Sequence, residues 1–477
     1  MTYQGDLTLT AERPKIWKAG WLYDKMDRMK ICIATHHFPP KFFAGAEQYA
    51  LRLARNLHRR GHEVQVVTVD AIDQGQLEPQ SKIEQYEGIP VHYLTYNLSL
   101  AQRAFPLLYR NPYLGEWFRR FFETDRPDLL HVNSGYLLGG AVIEQAHAVG
   151  IPIALTLHEF WFLCPINTLL RTNGRICDEP VPPARCKWCL MSQKRRYRLL
   201  DQWSNGWIGD AFVEAASSPL LAAWAERDAD IQEINERRAY LQKVYAMVDL
   251  VISPSQFLFD KMSAYHFHHS NIVRLSYGLQ NIPETVQEKI RIPGRLRAGF
   301  LGRISPEKGI DVLIKAMQRI SADHITLDIY GQVDETDAYV RYLRRLASRD
   351  ARIRFRGRYD QSELPEILNH LDVTVVPSIW YENRPGTILE AFAFHTPVVA
   401  SRLGGMVEMI QHDINGLLFS VNDADDLSRQ LMRLLSEPNL LPRLEAGILP
   451  VHKIDDEIEQ ILHYYQALSG FAQLSAS

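Results

Sequence analysis

Two carboxylates stand eight residues apart in the stretch Pro377-Ser378-Ile379-Trp380-Tyr381-Glu382-Asn383-Arg384-Pro385-Gly386-Thr387-Ile388-Leu389-Glu390. The apolar run Val373-Thr374-Val375-Val376 before it reads as a buried strand. Pro385 suits the first position of a helix, where it has no N–H to lose. Glu382 is therefore expected in the loop after a strand, and Glu390 about a turn and a half into the following helix. Carboxylates placed there meet the free N–H groups of a helix start, which attract anions such as phosphate. In open parallel sheets the same place is the ligand crevice. The bland alternative is a solvated loop Glu and a helix-surface Glu, since two Glu at this spacing recur by chance.

Three further groups have types and positions that could do chemistry. Arg303 and Lys308 lie in Gly302-Arg303-Ile304-Ser305-Pro306-Glu307-Lys308-Gly309, after a predicted strand over 297–301 and ahead of a helix predicted to about 320. Arg offers a planar fork and Lys a point charge to phosphate oxygens; read alone, the segment is equally a surface loop with solvated cations. His158 stands just past the predicted strand 152–157, where a lone His is more often structural. Cys164, Cys177, Cys186 and Cys189 form the pattern C-x12-C-x8-C-x2-C, with Pro180, Pro182 and Pro183 between them. A terminal C-x2-C lets two thiolates reach one tetrahedral zinc, and two more complete the set. The alternatives are a Cys186–Cys189 disulfide or four free thiols. An iron–sulfur cluster shares the ligand set, but nothing in the sequence suggests electron transfer. Cys32, in an apolar strand, reads as a small core residue.

The elements that must position these groups alternate. A strand at Lys30-Ile31-Cys32-Ile33-Ala34-Thr35, a helix from about Ala46 to Arg60 and a strand at Glu63-Val64-Gln65-Val66-Val67-Thr68 open a doubly wound sheet. Strands follow at 128–132, 152–157, 248–253 and 272–275. Between about 160 and 245 the pattern is interrupted by the cysteines and by a charged helical stretch that includes Lys194-Arg195-Arg196-Tyr197-Arg198. A linker is read over 281–295. The alternation then restarts with strands at 297–301, 325–330, 353–355, 373–376 and 396–400, and helices at about 424–435 and 455–468.

The chain has 477 residues, 46% of them hydrophobic, which is enough for two or three domains. Lys+Arg 53 against Asp+Glu 56 gives a formal charge of −3, so no basic field argues for nucleic acid. No apolar run is long enough to span a bilayer. The first 28 residues are polar, lack an apolar signal core and read as a loosely packed extension with Trp17 and Trp21 as anchors. A cytoplasmic protein is expected. The run 104–122 mixes aromatics with Arg110, Arg119 and Arg120. It reads first as an amphipathic core helix with snorkelling arginines, and alternatively as a dock on the anionic inner face of a membrane.

The E-x7-E spacing has Pro377-Ser378 before it, Ala391 after it, then Thr396-Pro397-Val398-Val399-Ala400 and Gly404-Gly405…Glu408. In this context it resembles the signature of retaining GT-B fold glycosyltransferases of family 4 type, the glycosyl transferases group 1. The resemblance implies an α/β fold of GT-B architecture, two Rossmann-like doubly wound domains facing across a cleft. It implies an acceptor domain over 29–280, a nucleotide-sugar donor domain over 296–450 and a C-terminal helix over 451–477 returning to the first domain. It implies a nucleotide-diphospho-sugar donor (UDP- or GDP-sugar) and a glycan or lipid-linked acceptor, as in cell-surface polysaccharide synthesis. Arg303 and Lys308 would clamp the diphosphate. Glu390 would bind ribose hydroxyls and Glu382 the hydroxyls of the transferred sugar. N–H groups near Gly386, Thr387 and Ile388 would face the phosphates, and His158 would face the sugar. Gly45, in Ala44-Gly45-Ala46-Glu47, would let backbone approach the donor; alanine stands here where the family often has a second glycine. The chemistry implied is retaining and independent of metal. Two alternatives remain: a nucleotide-sugar 2-epimerase of the same fold, and a non-enzymatic zinc-ribbon-containing sugar-binding scaffold. The intact set His158, Arg303, Lys308, Glu382 and Glu390 argues against the scaffold.

Overall fold

The computed structural model describes residues 28–284, 289–321 and 324–476. The expected extension with Trp17 and Trp21 lies outside them. Short, mostly apolar runs build two sheets. The first holds β1 (Lys30–Thr35), β2 (Glu63–Ala71), β3 (Gln80–Tyr86), β4 (Ile89–Thr95), β5 (Leu129–Val132), β6 (Ile153–Thr156), β7 (Leu250–Ser253) and β8 (Ile272–Arg274). Its spatial order is β3-β4-β2-β1-β5-β6-β7-β8. The second holds β9 (Leu296–Leu301), β10 (Ile325–Tyr330), β11 (Ile353–Gly357), β12 (Val373–Val376), β13 (Val398–Ser401) and β14 (Gly416–Phe419), in the order β11-β10-β9-β12-β13-β14. All pairings are parallel except β3 with β4. That hairpin is absent from the sequence reading: β3 is largely exposed and shows no apolar period, β4 went unread despite its buried residues, and β14 is likewise a strand the reading did not include. The hairpin turn, Glu87-Gly88, has positive φ at both residues, the backbone of a two-residue hairpin loop.

Alternation along each strand divides the core. In β1, Ile31 and Ile33 join one apolar cluster while Cys32 and Ala34 join the other, so both faces are covered, as parallel sheets require. The 104–122 run is core: the Pro112–Thr124 helix buries Leu114, Phe118, Phe121 and Phe122. Arg119 and Arg120 pair with Glu116, and Arg119 also with Glu123. The final helix, Ile454–Ala476, packs Ile454, Ile458, Ile461, Leu462 and Tyr465 against the first domain. Among the described residues no helix is long and apolar enough to cross a membrane.

In each sheet the chain reverses direction beside the first strand of that half: between β1 and β5, and between β9 and β12. Loops leaving the carboxyl ends of strands at such points diverge and open a crevice. The singled-out residues after β9 and β12 lie on such loops, and His158 follows β6, the next strand beyond β5.

Candidate active site

The loop after β9 is held against the loop after β12 by glycine. Gly309 has φ of 65°, and a Cβ there would lie 2.1 Å from the Pro377 carbonyl oxygen. Only glycine permits that approach. The Ile379 N–H donates to the Glu307 carbonyl at 2.9 Å. Lys308 is thereby brought to Glu382, and its Nζ donates to Glu382 Oε1 at 2.6 Å. The Ser378 hydroxyl and Trp380 Nε1–H donate to the same oxygen, each at 2.8 Å. Burial acts to raise the Glu382 carboxyl, but the Lys308 charge and these donors outweigh it and hold the group below its ordinary range. From the other side, a Cβ at Gly405 would lie 1.6 Å from the Asn383 carbonyl oxygen, and the Gly405 N–H donates to the Glu382 carbonyl at 2.7 Å. The glycine pair after β13 therefore supports the E-x7-E loop.

The two expected clamp cations are not equivalent. Arg303 is exposed, and its Nη2 donates to Glu307 Oε1 at 2.6 Å. Lys308 is mostly shielded and already neutralised by Glu382.

The Gly386–Ala393 helix starts one residue later than expected, with Pro385 at the cap position. The first N–H groups of a helix lack intrahelical partners. Here the Ile388 N–H donates to the Pro385 carbonyl at 3.1 Å, so Ile388 is not an open donor and the open positions are Gly386 and Thr387. Gly386 is exposed, and a Cβ there would meet nothing within 4 Å; the same holds at Gly45, the first residue of the Gly45–Arg59 helix. Glu390 is partly buried and accepts one long hydrogen bond, from Gln361 Nε2 at 3.4 Å. Burial raises its carboxyl.

His158 is a hub that links both domains. Asn133 Nδ2 donates to the Ala46 carbonyl at 3.0 Å, which turns Asn133 Oδ1 toward His158 Nε2 at 2.7 Å. An amide oxygen only accepts, so Nε2 carries the proton and Nδ1 accepts from the Tyr277 hydroxyl at 2.6 Å. Burial, followed by the charges of His131, His36 and Arg52, pushes His158 well below its ordinary value. The ring is neutral with both nitrogens engaged. Its backbone carbonyl accepts from Asn383 Nδ2 at 2.6 Å, joining the end of β6 to the E-x7-E loop. The peptide after Tyr277 is held by Glu457 of the last helix, whose Oε2 accepts the Gly278 N–H at 2.6 Å. Asn133, Tyr277 and Glu457 escaped sequence reasoning. Asn133 follows β5 as His158 follows β6, so the strand-end rule would have found it; Tyr277 and Glu457 carry no local signal.

The four cysteines are free thiols. Cys186 and Cys189 lie on the Pro183–Met191 helix, not on an irregular knuckle; three residues apart, they share a face. Burial, then the neighbouring cysteines, raises Cys186 and Cys189. Arg171 Nε donates to Cys177 Sγ at 3.3 Å. Arg237 is buried among the carbonyls of Trp161, Phe162 and Cys164, with no carboxylate partner among the described residues. Among those residues no three His, Cys, Asp or Glu side chains stand where they could hold one metal ion, so the geometry does not supply the expected zinc site. The insertion nevertheless reaches the crevice, because the Asp178 carboxylate accepts from Lys261 and from the Tyr381 hydroxyl.

Residues 295–437 match the family described as Glycosyl transferases group 1, and residues 44–278 match the Glycosyl transferase 4-like domain. A glycogen synthase of Mycobacterium tuberculosis is 32% identical over 423 residues, covering 86% of this chain and 87% of its own. An uncharacterized glycosyltransferase of Methanocaldococcus jannaschii is 24% identical over 429 residues, covering 86% and 90%. Among solved structures, sucrose-phosphate synthase from Thermosynechococcus elongatus superposes with a TM-score of 0.63 at 19% identity, covering 94% of this chain and all of that one. Anabaena HepE in complex with UDP gives 0.61 at 16% identity, covering 92% and 100%. These structures share the GT-B fold with this chain.

Proposed function

The chain belongs to the glycosyl transferases of group 1, and we propose that within this family it is a retaining, metal-independent transferase that takes its sugar from a nucleotide diphosphate. The observation that carries this reading is the Lys308–Glu382 pair, held by close backbone contacts beside the open start of the Gly386–Ala393 helix. The UDP in the HepE structure supports the donor class. The acceptor is a hydroxyl of a glycan or a lipid-linked saccharide.

The diphosphate binds over the Gly386 and Thr387 N–H groups, where the helix start favours negative charge. Lys308 turns toward it from Glu382, and Arg303 leaves Glu307 to close the clamp. As the bond between the anomeric carbon and the phosphate oxygen breaks, these cations stabilise the departing charge. The acceptor oxygen bonds to the anomeric carbon from the face the phosphate leaves, and its proton passes to the leaving phosphate oxygen. Retention follows without a protein nucleophile, in keeping with a Glu382 whose Oε1 keeps the Ser378 and Trp380 donors when Lys308 turns away. His158, neutral and fully hydrogen-bonded, acts by shaping the site rather than by moving a proton. Turnover of a panel of UDP-, GDP- and ADP-sugars, with NMR assignment of the product anomer, tests the reading. An inverted product rejects retention, and isomerised donor without transfer indicates an epimerase.

Glu390 binds the ribose hydroxyls. A carboxylate raised by burial and holding one long hydrogen bond gains most from two hydroxyl donors. Glu390→Gln weakens free-nucleotide affinity about tenfold with a smaller change in kcat at saturating donor. Calorimetry with the nucleotide alone checks this, and unchanged affinity removes the assignment.

The four cysteines have a structural role in this reading. A zinc bound by Cys164, Cys177, Cys186 and Cys189 would need the sulfurs to close in from where they stand. Its two net negative charges would be balanced by Arg171 and Arg237. Protein purified under reducing conditions then carries about one zinc per chain, and chelation leaves donor hydrolysis intact. Protein that carries no zinc when purified under reducing conditions rejects the site.

A further inference from the structure

The cysteine-bearing insertion presents an unusual outer face. On the Arg195–Trp203 helix, Arg196, Leu199, Leu200 and Trp203 follow the i, i+3, i+4, i+7 spacing that places them on one side. Leu199 is 54% exposed, Leu200 44% and Trp203 84%; Trp207, which starts the next helix, is 70% exposed. Large apolar side chains gathered in water mark an interaction surface. On the Arg195–Trp203 helix and the residue before it the exposed charge has one sign, and the nearest acid of the next helix, Asp210, is paired with Arg175 and Arg185. Lys194, Arg195, Arg196 and Arg198 are exposed, and among the described residues none of them pairs with a carboxylate. The one acid of the helix, Asp201, is turned inward, where it accepts from Trp188 Nε1 and the Thr172 hydroxyl. The helix at 112–124 is the opposite case, its apolar side buried and its arginines paired with glutamates.

We propose that residues 194–207 form a membrane-docking surface that seats the enzyme on an anionic lipid bilayer. A surface of unpaired cations around leucines and tryptophans matches the headgroup layer. There lipid phosphates meet the cations, the leucines enter the acyl boundary, and the tryptophan rings sit between. A second copy of this chain is a poorer occupant, because the same four cations would have to meet one another across a two-fold axis. The surface also has a bearing on the acceptor. The same insertion reaches the crevice through Asp178 and Tyr381, so docking here would bring a lipid-linked acceptor to the site, a consequence that rests on the transferase reading.

The test uses the full chain and sonicated vesicles, either pure phosphatidylcholine or phosphatidylcholine with phosphatidylglycerol, in a flotation assay without substrate. The protein is expected to float with the anionic vesicles and not with the neutral ones. Binding is expected to fall steeply as salt approaches about 1 M, where screening acts within about 3 Å. Replacing both tryptophans (Trp203→Ser with Trp207→Ser) weakens partitioning about tenfold, and so does Arg195→Gln with Arg196→Gln. Arg119→Gln with Arg120→Gln leaves it unchanged. Circular dichroism and melting of each variant establish that it is folded. Wild-type protein that stays in the supernatant with anionic vesicles at low salt overturns the proposal. So does equal binding by the folded tryptophan variant, or a concentration-dependent dimer that the tryptophan changes abolish. Because no donor is present, this result is independent of whether the chain transfers a sugar.

Discussion

Lys308→Ala lowers turnover on the order of a hundred- to a thousandfold, the effect of removing one preorganised charge from a developing anion. It also destabilises the fold, which Arg303→Ala does not. Arg303 is exposed and its loss leaves only the partly exposed Glu307 behind. Lys308 is the counter-charge of a buried carboxylate, and breaking a buried pair costs about 3–5 kcal/mol. The pH dependence identifies the cause. With Lys308 present, Glu382 is held below its ordinary value of 4.5. It therefore contributes stability above that pH, and the contribution is lost as pH falls through the folded value. Without Lys308, burial is the largest influence left, opposed by the Ser378 and Trp380 donors, and the carboxyl is expected to rise. The contribution then reverses, and the variant gains stability as pH falls and loses it as pH rises. Denaturant unfolding of both proteins between about pH 4 and pH 6 reads the sign directly. The same slope in both would remove the pair from the account, and wild-type kinetics would remove the clamp.

Glu382→Gln separates nucleotide binding from sugar transfer. The glutamine oxygen can still accept from Ser378 and Trp380, so the loop is retained, but Lys308 loses its internal anion and is free for the diphosphate. Free-nucleotide affinity is expected to hold or rise. Turnover is expected to fall about a hundredfold, because the carboxylate no longer orders the hydroxyls of the sugar or takes Lys308 back as an ion-pair partner. Calorimetry with the nucleotide and initial rates at saturating donor give the two halves of this comparison. Affinity that falls in parallel with turnover would place Glu382 on the nucleotide; unchanged turnover would take it out of the site.

These two outcomes depend on different layers of information. Strand and helix order was legible in the chain wherever a segment carries its own period; the β3–β4 hairpin and β14 were not read from it. Val373–Val376 is a short apolar run whatever surrounds it, and Tyr49, Ala50, Leu53 and Leu57 repeat at helical spacing. The positions of Glu382, Arg303, Lys308 and His158 past strand ends, and of Glu390 in the helix that follows, come from that order, since parallel sheets gather their loops at one edge. What each side chain touches does not follow, because it depends on contacts between segments far apart. Lys308 and Glu382 meet across 74 positions only because Gly309 lets one loop lie against another. His158 is neutral because the fold buries it, and both its nitrogens are engaged because Asn133 and Tyr277 arrive from the ends of two other strands. The exposure of Trp203 and Trp207, against the burial of Phe118 and Phe122, is of the same kind. Both stretches mix aromatics with arginines, and composition treats them alike. Only packing decides which aromatic face finds an apolar neighbour and which is left to the solvent, because burial is a property of the surroundings and not of the segment.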